Sequence, residues 1–179
     1  MRPPGLLFGT ALFAATMAGS ALAQSKGQVT TALTVKGSVE REITLSVEDL
    51  KSLPKLQVEE VRTVHEAAGV TPPTESTRHY VGCLLRDVLE RAKPVEKGRF
   101  GFRRSVVIAT ASDGYRAVFS WAELNLTPIG EGVLVVYERD GAPLGDDEGK
   151  IALVSFKDTR PGPRHVKWLQ SIELRTLNE

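Results

Sequence analysis

The densest set of chemically capable side chains lies late in the sequence, in Lys157-Asp158-Thr159-Arg160-Pro161-Gly162-Pro163-Arg164-His165-Val166-Lys167-Trp168. Two prolines and a glycine hold such a stretch as a loop. Arg160, Arg164, His165 and Lys167 converge within it, and free backbone N–H groups lie between them. A guanidinium presents a planar fork that matches phosphate or carboxylate oxygens. The chemistry is that of an anion site, and these four residues form the candidate set for holding a ligand or cofactor. The same residues also suit an exposed charged loop anchored by a buried Trp168, with Asp158 neutralising a neighbour. Residue types alone leave both readings open.

Elsewhere the chain offers little that could react. The histidines are His65, His79 and His165. None forms a close pair with metal-ligand spacing, and no Cys-x-x-Cys occurs, so no metal site is expected. No Gly-x-Ser-x-Gly, phosphate-binding loop or dinucleotide fingerprint is present. No catalytic residue can be assigned. Cys83 is the only cysteine, so no internal disulfide can form. It precedes Leu84-Leu85 at the start of an apolar helical pattern, where a small buried hydrophobe fits better than a reactive thiol.

The elements that must position these groups are mostly strands. Leu33 to Val35 and Ile43 to Leu45 read as a hairpin through Lys36-Gly37-Ser38. Ser46 with Asp49 three residues on reads as a capped short helix, stopped by Pro54. Residues 56–64 read as a strand with an irregularity, and 68–78 as a loop. Apolar residues at 84, 85, 88, 89 and 92 give a one-faced helix. Val106–Ala109 and Ala117–Phe119 flank the turn dipeptide Asp113-Gly114. Ser120 to Glu123 reads as a second capped helix. Val133 to Tyr137 is continuously apolar, as in a strand covered on both faces. Asp140 to Leu144 is a turn, and further strands follow at Ile151–Val154 and Ile172–Leu174. Short helices among strands without regular alternation indicate an α+β fold with a mixed β-sheet.

The first 23 residues carry one charge, Arg2, then an apolar run ending in Ala21-Leu22-Ala23. That is the pattern of a cleavable signal peptide, and the run is too short for a membrane span. Residues 1–23 are therefore expected to be a signal peptide and 24–179 one domain, periplasmic or secreted. The whole chain has 23 basic and 22 acidic residues, so removing Arg2 leaves them balanced. Balance argues against nucleic acid as a partner, since that needs a basic excess. No later segment is long and apolar enough for a membrane span.

The order of these pieces resembles the molybdopterin-binding domain of the sulfite oxidase family. The resemblance runs along residues 33–175. Leu33-x-Val35-x-Gly37 is similar to its opening hairpin, and Leu45-Ser46-Val47-Glu48-Asp49-Leu50 to its Leu-Ser-x-x-Asp-Leu segment. Tyr80-Val81-Gly82 with Leu84 to Leu89, Ser112 to Tyr115, Tyr137 to Leu144 and Val166 to Leu174 follow in the family's order. The resemblance implies a sulfite oxidase-like fold, a molybdopterin cofactor and oxidoreductase activity. It also implies a molybdenum-binding cysteine at the end of strand 56–64, where this sequence has Thr63-Val64-His65-Glu66-Ala67. Cys83 cannot be carried over as that ligand. The family's Pro-Leu-Arg approach to the pterin is replaced by Gly149-Lys150-Ile151-Ala152-Leu153. Only the stretch from Arg164 to Lys167, which in the family lies by the pterin, keeps its chemical type. Arg2 is followed by Pro3, so the twin arginine that exports cofactor-loaded enzymes is missing. The expectation is an exported, non-redox member of the fold that binds a small anionic ligand or a periplasmic protein partner, with no cofactor. The alternative is a molybdopterin-dependent oxidoreductase with an atypical metal site.

Overall fold

The computed structural model describes residues 27–64, 74–160 and 162–177. The expected signal peptide at 1–23 lies outside the described residues. No described helix is long and apolar enough to cross a membrane.

Among the described residues, ten strands form two five-stranded sheets. Strands β1 (Ala32–Gly37) and β2 (Ile43–Ser46) make the expected antiparallel hairpin. The first sheet runs β2-β1-β10-β5-β6, with β5 at Ser105–Ala111, β6 at Arg116–Ser120 and β10 at Leu169–Thr176. β1 and β10 are parallel, and the other pairs are antiparallel. The second sheet runs β3-β4-β7-β8, with β9 also on β7. Its strands are β3 (Leu56–Val64), β4 (Thr74–Leu84), β7 (Val133–Arg139), β8 (Ala142–Pro143) and β9 (Ala152–Ser155). This is the mixed-sheet α+β architecture that the sequence indicates.

Both capped helices are present. α1 (Val47–Lys51) starts at Ser46, whose hydroxyl accepts from Asp49 N while the Asp49 carboxylate accepts from Ser46 N. α3 (Trp121–Leu126) repeats the device with Ser120 and Glu123. Each cap satisfies backbone donors that a helix start leaves free, worth about 1 kcal/mol. α2 (Leu85–Arg91) buries Leu85, Val88 and Leu89.

Three expectations need correction. Thr74 to Arg78 belong to β4, paired with Val64 to Glu60, rather than to a loop. Once the chain has passed Pro73, a nine-residue partner strand supplies the ladder, and β-branched threonines suit it. The irregularity expected in 56–64 lies across the sheet, as a register shift at Val81/Gly82 against β7. Cys83 accordingly sits in β4, not on α2. Gly82 makes the shift possible, because a Cβ there would stand 2.3 Å from Val135 O. The aromatic-x-Gly motif thus marks a close backbone crossing.

Alternation fixes which faces are buried. β5 and β6 turn Val107, Ala109, Ala111, Ala117 and Phe119 inward, and leave Val118 exposed. The main core draws on both sheets and all three helices. β7 is apolar from Val133 to Tyr137 because its faces serve two cores. Val133, Val135 and Tyr137 enter the main one. Leu134 and Val136 join Tyr80, Leu84, Leu144, Ala152 and Val154 in a smaller one. Each large side chain fully buried here contributes about 1.5–3 kcal/mol.

Candidate functional site

The segment linking β9 to β10 carries the predicted anion-binding residues, and the fold distributes them unequally. Arg164 turns inward. Its Nε donates to Asp158 Oδ2 at 2.8 Å, its Nη2 to Asp158 Oδ1, and its Nη1 to Glu123 Oε1 at 2.7 Å. Its guanidinium carbon lies 4.5 Å from the centroid of the buried Phe119 ring. Asp158 is fixed in turn by Ser155 Oγ at 2.7 Å. The hydrogen bonds to Asp158 hold the Arg164 pKa above its ordinary value. Burial alone would push the Asp158 carboxyl up, but Arg164 and Ser155 outweigh it and hold it down. Arg164 therefore ties the segment to the first turn of α3, with two carboxylates balancing its charge.

His165 and Lys167 meet a different carboxylate. Glu148 is 2% exposed, and its Oε2 lies 2.9 Å from His165 Nε2. Its Oε1 accepts from Arg139 Nη1 at 2.5 Å and stands 3.9 Å from Lys167 Nζ. Burial by itself would raise the Glu148 pKa. The hydrogen bond and charge of His165, with Lys167 and Arg139, reverse this and bring it to about 2. Arg139 is the close partner, so much of the Lys167 charge stays available to solvent. Arg160 is exposed and makes no ion pair among the described residues.

Trp168 is half-buried rather than sealed, and its backbone is left-handed, φ +48°. Four contacts hold it there. Its N–H donates to Glu148 O at 2.7 Å and its indole N–H to Asp146 O at 2.9 Å. Its carbonyl accepts from Ser112 N at 3.0 Å. Gly27 lies flat on the indole, where a Cβ would stand 2.7 Å from the ring. The β5–β6 turn approaches from the other side, with Gly114 at φ +89°. Tyr115 OH donates to Pro163 O at 2.5 Å, clasping turn to loop. Between them opens a cleft of about 570 Å³, lined by Asp113, Tyr115, His165, Lys167 and Trp168 with two glycines. Asp113 Oδ1 is already occupied by Tyr115 N at 2.9 Å. Of the four predicted residues, two face this cleft together. Tyr115 and Asp113, absent from the predicted set, join them because the β5–β6 hairpin delivers its turn there. That hairpin was itself legible in the sequence.

With this geometry in view, the family assignment rests on a match along nearly the whole described chain. Residues 26–179 match the family model for the oxidoreductase molybdopterin binding domain. The chain belongs to that family. A solved structure with the same fold is the sulfane dehydrogenase SoxCD from Paracoccus pantotrophus, at TM-score 0.60 and 18% identity. That match covers 80% of this chain and 38% of the other, so this chain spans well under half of the dehydrogenase chain. No curated protein matches.

Family membership raises the question of whether these residues could hold a molybdenum centre of the family's kind, which is bound through a cysteine thiolate. Cys83 is fully buried on β4 opposite Val135 of β7, its Sγ 3.9 Å from Val135 O. Burial, with the charge of Asp87 adding to it, pushes the thiol up to about 12. A metal-binding thiol must be deprotonated and accessible, and this one is neither. Among the described residues no group of three or more His, Cys, Asp or Glu side chains could hold a metal ion. The position where the family carries its cysteine, after Val64, lies outside the described residues, but the sequence there contains no cysteine. The donor set does not fit a molybdenum–thiolate centre.

Proposed function

We propose that this member of the molybdopterin-binding family is exported and non-redox, and binds a small anionic ligand in the cleft between the β5–β6 turn and residues 162–168. The observation that carries the reading is the burial of the chain's only thiol, which leaves the family's metal chemistry without its ligand. The cleft supports the rest. Lys167 supplies a positive charge, and His165, fastened through Nε2, leaves Nδ1 as its other polar atom. Trp168 and Tyr115 provide flat apolar walls. Such a site favours a compact anion with a planar or apolar part.

Two measurements on protein from its native compartment, in cells supplied with molybdate, test this. Elemental analysis is expected to find no molybdenum. Titration with pyrophosphate and with benzoate, followed by tryptophan fluorescence, is expected to show salt-dependent binding that Lys167→Ala weakens. Near-stoichiometric molybdenum with a pterin absorbance would replace this reading with that of an oxidoreductase having an atypical metal site. Binding unaffected by Lys167→Ala would remove the cleft as the site.

A further inference from the structure

The opposite end of the first sheet carries a surface of another kind. The connection from α2 to β5 wraps the strand ends at Gly37, Ser105 and Thr176. Val39 bridges Pro94, Val95 N–H donates to Ser38 O at 2.9 Å, and Leu177 N–H donates to Arg104 O at 2.9 Å. At the tip stands Phe100, with φ +60°. A bulky side chain rarely adopts that left-handed conformation. Phe100 is nevertheless 47% exposed, and Val95 and Leu177 are exposed with it. The guanidinium carbons of Arg99 and Arg103 lie 4.9 and 4.5 Å from the ring centroid. Lys97, Arg99 and Arg103 make no ion pair among the described residues. From Val95 to Arg104 the sequence has four cations and one carboxylate, Glu96, whose Oε1 accepts from Phe102 N at 3.3 Å, in a chain whose overall charge is close to neutral.

We propose that this rim docks the protein on an anionic lipid surface. Phe100, Val95 and Leu177 would enter the boundary between headgroups and acyl chains, and Lys97, Arg99 and Arg103 would meet lipid phosphates. Aromatic and aliphatic side chains beside unpaired cations match both layers of such an interface. A purely acidic partner would use the cations and leave the apolar residues in water. Strand addition is not available either, because strand ends rather than a strand edge lie here. The cleft sits at the far end of the same sheet and stays open to solvent when the rim is engaged. The proposal does not depend on what the cleft binds.

The test is sedimentation of the full chain with vesicles of phosphatidylcholine, with and without phosphatidylglycerol, at low and high salt. Binding is expected only to the anionic vesicles, and weaker in salt. Arg99→Ala with Arg103→Ala should reduce it about tenfold or more. Phe100→Gly should also reduce it while keeping or raising the melting temperature, because glycine accepts the left-handed backbone. Lys55→Ala with Arg116→Ala, exposed cations away from the rim, should change little. Absence of binding to anionic vesicles, equal binding to neutral ones, or rim variants that bind like the parent would overturn the proposal. So would binding of polyglutamate, lost in the rim variants, without any vesicle binding.

Discussion

Replacing Glu148 by glutamine tests whether a buried carboxylate organises the cleft. Glu148 is 2% exposed and faces Arg139 at 2.5 Å, His165 at 2.9 Å and Lys167 at 3.9 Å. Its pKa stands at about 2 against an ordinary 4.5. Each unit is worth 1.36 kcal/mol, so the ionised form stabilises the fold by about 3 kcal/mol at neutral pH. Glutamine keeps the shape but not the charge, and leaves the half-buried Arg139 with only the more distant Asp147 carboxylate, at 3.6 Å, as a charged partner. Glu148→Gln should therefore cost about 2–3 kcal/mol at pH 7, measured by urea denaturation. The sign with pH follows from a depressed folded-state pKa. The carboxylate's contribution is fully present above about pH 4.5 and fades as pH falls towards 2. The gap between parent and variant should close over that window. A variant within about 0.5 kcal/mol of the parent at pH 7, or a gap that does not narrow in acid, would refute the reasoning.

Cys83→Ala should lower stability by about 1 kcal/mol and leave anion binding intact. The native thiol should resist an aromatic disulfide reagent until the protein is unfolded. Arg164→Ala should cost about 2 kcal/mol in urea by stranding Asp158 and Glu123, while anion affinity falls far less than in Lys167→Ala. Gly82→Ala should cost more than about 3 kcal/mol or abolish soluble expression, since its Cβ would stand 2.3 Å from Val135 O.

What could be read from the sequence was local. Ser46 with Asp49 and Ser120 with Glu123 announce their helices because a capping box is complete within four residues. Asp113-Gly114 and Asp140-Gly141 announce turns because positive φ is required at those glycines. What was missed depends on partners distant in sequence. Thr74–Arg78 looks like a loop until β3 lies beside it. Cys83 looks helical because apolar spacing continues into α2, whereas Gly82 lets β4 press on β7. The loop at 157–168 shows the same limit within the site. Composition identified its cations, but nothing in it tells that Arg164 turns towards Glu123, 41 residues away. Nor does it tell that His165 and Lys167 share a carboxylate with Arg139.

The place of β10 has a consequence for how the chain comes together. Residues 169–176 lie between β1 and β5, so the first sheet has no middle until they arrive. While the polypeptide is still emerging, β1–β2 and β5–β6 are separate hairpins, each with one inner edge bare. A nascent molecule lacking only these residues would expose both edges and the apolar faces of Leu33, Val35, Val107 and Ala109. Assembly is thus forced to be late and non-local, hence slow, with a window in which holdases and proteases compete for the chain.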